Sequence, residues 1–103
     1  MIIFPTSYDI YLEQNGAKVA TVQSYMASEG DDGYQIRLSR VYMIDVRRPL
    51  YSLDNFSLVV EKPNKIIVYT GCRWKSITDE GTMDSVICET ADIIAESREE
   101  AKP

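Results

Sequence analysis

The residues best suited to chemistry in this chain are few. They are Cys72 and Cys88, the acidic cluster Glu29-Gly30-Asp31-Asp32, the pair Asp79-Glu80, and the triplet Arg73-Trp74-Lys75. Histidine is absent. That removes the commonest general base, the usual partner of a nucleophilic serine or cysteine, and the commonest metal ligand. Two cysteines cannot by themselves close a tetrahedral zinc site. The acidic cluster lacks the alternating Asp-x-Asp-x-Asp-Gly pattern and distal glutamate of a calcium loop, so it reads as a solvated loop. Asp79 and Glu80 fall within Thr78-Asp79-Glu80-Gly81-Thr82, where aspartate serves turn geometry. Trp74 reads as an inward strand residue flanked by two outward charges, in preference to a base-stacking platform. The glycines are scattered at turns and form no phosphate-cradling motif. These residues supply no set for acid–base or metal chemistry, so the expectation is a non-enzyme that needs no cofactor or metal.

Composition narrows the classes further. A chain of 103 residues makes one domain, residues 1–103, large enough for a real core. Its apolar share of 45% and charged share of 26% are ordinary for a globular protein. The net charge is −5, and the bases do not run together beyond Arg47-Arg48. A nucleic-acid binder normally has the opposite balance, so sequence-specific nucleic-acid binding is not expected. No stretch reaches the ~20 apolar residues of a membrane helix. Met1-Ile2-Ile3-Phe4-Pro5 lacks the basic start and apolar run of a signal peptide, which predicts a protein that stays in the cytoplasm where it is made. There, two buried thiols are the ordinary expectation for Cys72 and Cys88. Their symmetry about Glu80 leaves a cross-strand disulfide as the alternative, because a hairpin folded there sets them opposite each other.

The elements that must position these residues follow a period of two. Tyr8, Ile10 and Leu12 alternate with polar residues, and Asn15-Gly16 marks a type I′ turn. The returning strand is predicted over about 18–27, with Glu13 against Lys18 and Leu12 against Val19. A polar, flexible loop is predicted over 28–33, followed by a long strand over 34–45. The apolar parity changes between Leu38 and Val41, which predicts a bulge near Ser39-Arg40. Residues 46–55 read as a connection with one helical turn. A second hairpin, over 56–62 and 65–70, turns at Pro63-Asn64, with apolar residues on both parities and both faces expected to be covered. Residues 71–77 extend it, and about 83–95 return, with Val86, Ile87, Ile93 and Ile94 as the apolar content. Ala91, Ile94 and Ala95 also suit a helix. The charged tail 96–103 is expected to fray. The fold class is mainly β: an antiparallel β-sandwich or small β-barrel of six to seven strands, with at most one short helix.

Three stretches carry a resemblance. Tyr8-Asp9-Ile10-Tyr11-Leu12, with Asn15-Gly16 and Val19-Ala20-Thr21-Val22-Gln23-Ser24-Tyr25, resembles the first hairpin of tail-tube-like proteins of long-tailed phages and related particles. Ile36-Arg37-Leu38-Ser39-Arg40-Val41-Tyr42 resembles their second strong strand. Val68-Tyr69-Thr70-Gly71-Cys72-Arg73-Trp74-Lys75-Ser76-Ile77, with Glu89 and Ala95-Glu96-Ser97-Arg98, is similar to their closing hairpin. The resemblance implies a subunit that joins copies of itself in a ring, often of six, and contacts neighbouring tail proteins. Its place would be a tail tube, a tube initiator or terminator, or a baseplate, assembled in the host cytoplasm and carried into the particle. Asp31 and Asp32 then become subunit-interface candidates, with Arg37, Arg40, Arg47 and Arg48 as their partners across the joint. The alternative is a stand-alone, phage-encoded domain that binds or regulates one protein.

Overall fold

The computed structural model describes residues 9–45, 47–78 and 87–102, with the main chain alone at 78 and 87–89. Tyr8, Val46, Val86, the turn residues 79–82 and the side chain of Cys88 therefore lie outside the described residues. Seven strands form one antiparallel sheet: β1 (Asp9–Gln14), β2 (Ala17–Gly30), β3 (Gly33–Met43), β4 (Phe56–Lys62), β5 (Lys65–Thr78), β6 (Ile87–Ala95) and β7 (Ser97–Ala101). Their order is β4-β1-β2-β3-β6-β5-β7, and β4 also pairs with β5. Six strands thus close on themselves, which selects the barrel over the sandwich. A 3-10 turn at Leu50–Ser52 is the helical content among the described residues, inside the connection where one helical turn is predicted.

The first hairpin turns where the sequence places it. Asn15 and Gly16 have φ of 55° and 80°, the positive values that a type I′ turn requires at both central residues. Glu13 faces Lys18 as expected, but Leu12 faces Ala20 instead of Val19, because a bulge falls between Leu12 and Glu13. The β4–β5 hairpin also turns at Pro63-Asn64, with Lys62 opposite Lys65.

Further expectations need correction. β2 does not stop near Ala27. Ser28, Glu29 and Gly30 pair with Gln35, Tyr34 and Gly33, so the loop predicted over 28–33 shrinks to a turn at Asp31-Asp32. Main-chain ladder bonds do not depend on side-chain polarity, and here they outweigh weak β propensity. The change of parity at Ser39-Arg40 is real, since Leu38 and Val41 are both buried. It is a kink and not an inserted residue: Arg40 has φ 53°, while the β2–β3 register runs unbroken past it.

The return predicted to run to about Ala95 is strand β6, and its Ala91, Ile93 and Ala95 are buried at period two, which decides against the helical alternative from Ala91. Finally, the charged tail forms β7, from Ile66 opposite Ala101 to Thr70 opposite Ser97. Arg73 opposite Ile94 continues the same frame, so β6 and β7 are one strand bent at Glu96, whose N–H donates to the Thr70 carbonyl at 2.9 Å. Its charges face water or one another: Lys65 and Arg98 both reach Glu100, at 3.4 and 2.5 Å.

The core fills the barrel. Leu12, Ile36, Leu38, Leu58, Val60 and Ile93 are fully enclosed, each contributing about 1.5–3 kcal/mol by leaving water. Leu53 reaches in from the connection, and Phe56 stacks at a tilt on Trp74 with ring centroids 4.8 Å apart. The indole N–H of Trp74 donates to the Leu53 carbonyl at 3.0 Å, pinning the connection to the barrel end. Coverage on the other face of β4 is partial: Val59 is buried there between Tyr11 and Val68, which are half-buried.

The cysteines do not meet as a Glu80-centred hairpin requires. Cys72 faces Phe56 across β4, Cys88 faces Val41 across β3, and Thr78 faces Thr90. The β5–β6 fold-back is therefore centred four residues beyond Glu80. Cys72 is a free, fully buried thiol, pushed up to about 12 by burial.

Candidate functional site

The long ribbon of β2 and β3 places the predicted interface residues, and it does not gather them into one cluster. At one end Gly30 pairs with Gly33, and Asp31 and Asp32 form an exposed tip. Behind the tip lies a cleft of about 340 Å³ at the barrel mouth, lined by Ala27, Ser28, Glu29, Tyr34, Tyr69 and Arg98. Tyr69 is its floor. Tyr25 and Tyr34 meet it edge-on, with ring centroids at 6.5 and 5.7 Å. Arg98 Nε donates to the Tyr69 hydroxyl at 3.3 Å.

The opposite end of the ribbon is closed by the Ile44 N–H donating to the Val19 carbonyl at 3.0 Å. Arg47 and Arg48 follow directly. Arg47 pairs with Asp45 at 3.2 Å, yet its side chain keeps 88% of its surface in water. Asp45 is held below the ordinary carboxylate range by the side-chain and main-chain hydrogen bonds from Arg47. Arg48 is fixed more firmly, donating to Gln14 Oε1 at 2.6 Å and to Ser52 Oγ at 3.0 Å. Ile44 and Tyr51 stand exposed beside them.

Arg37 and Arg40 lie between the two ends. Arg40 sits at the kink and is exposed. Arg37 belongs to a row that crosses the outside of the barrel, Met26–Arg37–Asp92–Ser76, one residue from each of β2, β3, β6 and β5. Arg37 Nε donates to Asp92 at 3.0 Å, and Ser76 Oγ donates to the same carboxylate at 3.0 Å. Those bonds, the one from Arg37 above all, hold Asp92 below its ordinary range. A bulge between Trp74 and Ser76 leaves Lys75 without an opposite residue and turns it onto this face, where it lines a groove of about 270 Å³ with Met26, Gln35, Arg37 and Asp92. Met26 is 75% exposed. Residue typing at the sequence level finds Arg37 but misses Asp92, Lys75 and Met26, because their meeting depends on which strands become neighbours.

Tyr11 was also missed. Its hydroxyl donates to Glu61 Oε1 at 2.8 Å, and Lys18 lies 4.5 Å above its ring. Burial, followed by the carboxylates of Glu61, Glu13 and Asp9, pushes the Tyr11 phenol from 10.0 up to about 12. The sign follows from linkage: the folded state keeps this proton longer than the unfolded chain, so its contribution to stability is complete below pH 10 and is lost as pH rises toward 12. Absorbance titration is expected to show one phenolate forming late, and Glu61→Gln is expected to bring that step back toward pH 10. An unchanged profile in the Gln variant would remove Glu61 as a cause.

Among the described residues, no three His, Cys, Asp or Glu side chains are grouped to hold a metal ion, and no helix is long and apolar enough to cross a membrane. The sequence matches no protein-family model and no curated protein.

Proposed function

We propose that this chain is a structural subunit of a phage tail or tail-like contractile particle, acting by ring-forming self-assembly in the tube, a tube initiator or terminator, or the baseplate. One observation carries the reading: the β2–β3 ribbon is charged oppositely at its two ends. Asp31 and Asp32 crown one end, while Arg47 and Arg48 stand at the other beside exposed Ile44 and Tyr51. Surfaces that are unlike and complementary favour head-to-tail contacts, which generate rings or stacks, over face-to-face pairs. A barrel closed through six strands supplies the rigid body that such an assembly repeats. On this reading the partners are further copies of the chain and neighbouring tail proteins.

The test is quantitative mass spectrometry of particles sedimented from the producing cells. Copies in the hundreds indicate a repeating tube subunit, and a single ring's worth indicates an initiator, terminator or baseplate part. Absence from particles, with abundance in the soluble lysate, overturns the reading. Asp31→Lys with Asp32→Lys is expected to weaken assembly at least about tenfold, since like charges then meet at the joint. Unchanged sedimentation of that double variant removes the tip from the contact.

The tyrosine-lined cleft at the barrel mouth favours a second reading, a stand-alone domain that seats one side chain of a protein partner. Affinity capture of one stoichiometric partner from cells that make no particles would favour it.

A further inference from the structure

The barrel order sets strands that are distant in sequence on two opposing walls. In the closed cycle β1-β2-β3-β6-β5-β4, strands β1 and β4 lie across the core from β6 and β3. The outward side chains of these walls differ in charge.

On one wall, Asp9 faces Glu61, which faces Ile66; Tyr11 faces Val59, Val59 faces Val68, and Val68 faces Glu99. Glu13 follows Tyr11 at the same parity. Asp9, Glu13, Glu61 and Glu99 thus ring an apolar strip of Tyr11, Val59, Ile66 and Val68, with Lys18 as the cation over Tyr11.

On the opposing wall, Arg37 and Lys75 share a groove, and Arg73 lies outward on β5, two residues from Lys75. Asp92 neutralises one of these three cations. Exposed Met26 supplies the apolar element. Among these residues the balance is positive, in a chain whose net charge is −5.

We infer that these two walls dock on each other between copies, the acidic wall of one subunit on the basic wall of the next. This rests on the self-assembly reading and names the side-by-side contact within it, distinct from the end-to-end contact of the hairpin tip. The two surfaces are unlike, so the contact is heterologous and leaves each copy with one of them free to bind the next. The molecule measures 44 × 39 × 24 Å, and its broad faces can hold the ~800 Å² per partner of a standard interface. Apolar residues at the middle and charges at the margin match the anatomy of such interfaces.

The experiment uses two charge-reversed proteins, studied by sedimentation velocity beside the unaltered chain. One carries Arg73→Glu and Lys75→Glu, so that both its walls are acidic. The other carries Asp9→Lys and Glu99→Lys, so that both its walls are basic. All four positions are exposed, and circular dichroism checks that each variant folds. Each variant alone is expected to associate at least about 100-fold more weakly than the unaltered chain. Mixed one to one, they are expected to recover assembly, because every acidic wall then finds a basic one. Normal assembly of either variant alone, or no recovery on mixing, overturns the wall contact while leaving the self-assembly reading intact. An unaltered chain that stays monomeric at millimolar concentration overturns both.

Discussion

Gly33→Ala is expected to cost about 3 kcal/mol or more of folding stability. Gly33 has φ 117°, and a methyl group placed there would lie 2.4 Å from the main-chain carbonyl oxygen of Ala95. A main-chain atom cannot rotate away as a side chain does. The clash is relieved only by moving β3 from β6 at the pairing of Tyr34 with Ala95, where the tip of the β2–β3 hairpin is held to β6. Gly16→Ala is the control: its φ is 80° but nothing lies within 4 Å of the added carbon. It is expected to cost only the conformational penalty, about 1 kcal/mol. Urea denaturation of both variants checks the pair. A Gly33→Ala protein as stable as Gly16→Ala would mean that β3 and β6 do not approach this closely in solution.

Phe56→Ala is expected to lose about 3–5 kcal/mol, a large part of the roughly 5–15 kcal/mol by which a domain is stable. Phe56 is 1% exposed, and it packs on Trp74 next to Leu53. Removing the ring leaves a cavity under the indole and loosens the bond from Trp74 to the Leu53 carbonyl that holds the connection. Trp74 is the sole tryptophan of the chain, so its emission is a direct readout and is expected to shift to the red in the variant. Tyr51→Ala, at a position 75% exposed in the same connection, is expected to stay within about 0.5 kcal/mol of the parent. Emission unchanged by loss of Phe56 would place Trp74 somewhere other than against that ring.

The local features of the fold were legible in the sequence, and those set by distant strands were not. Asn15-Gly16 and Pro63-Asn64 carry their turns in their own residue types, and Trp74 alternates inward between Arg73 and Lys75 as its neighbours suggest. The pairing of β1 with β4 leaves no such local mark, and it is what closes the barrel. The polar run Ser28-Glu29-Gly30 resembles a loop until Gly33, Tyr34 and Gln35 appear opposite it to complete the ladder. The charged tail is misleading for the same reason: Ile66 to Thr70 supply a partner whose presence composition does not reveal. Alternation and helical spacing are both satisfied at Ala91 and Ala95, and only the burial of Ile93 between them distinguishes strand from helix. The candidate site divides likewise. Asp31, Asp32 and the arginines stand out by type, whereas the grouping of Asp9, Glu61 and Glu99 on one wall needs the strand order, which spans nearly the whole chain.

The route of the chain through the barrel bears on when the molecule can exist at all. β6 is the stave between β3 and β5, yet it is synthesised last but one. Its bonds to β3 join residues as far apart as Tyr34 and Ala95, and long loops of this kind are slow to close. While β6 is still inside the ribosome, the emerging chain holds an open sheet with raw edges on β3 and on the distal half of β5. The barrel therefore stays open until β6 is in place, and the pairing of β6 with β3 on one side and β5 on the other is the step that seals it.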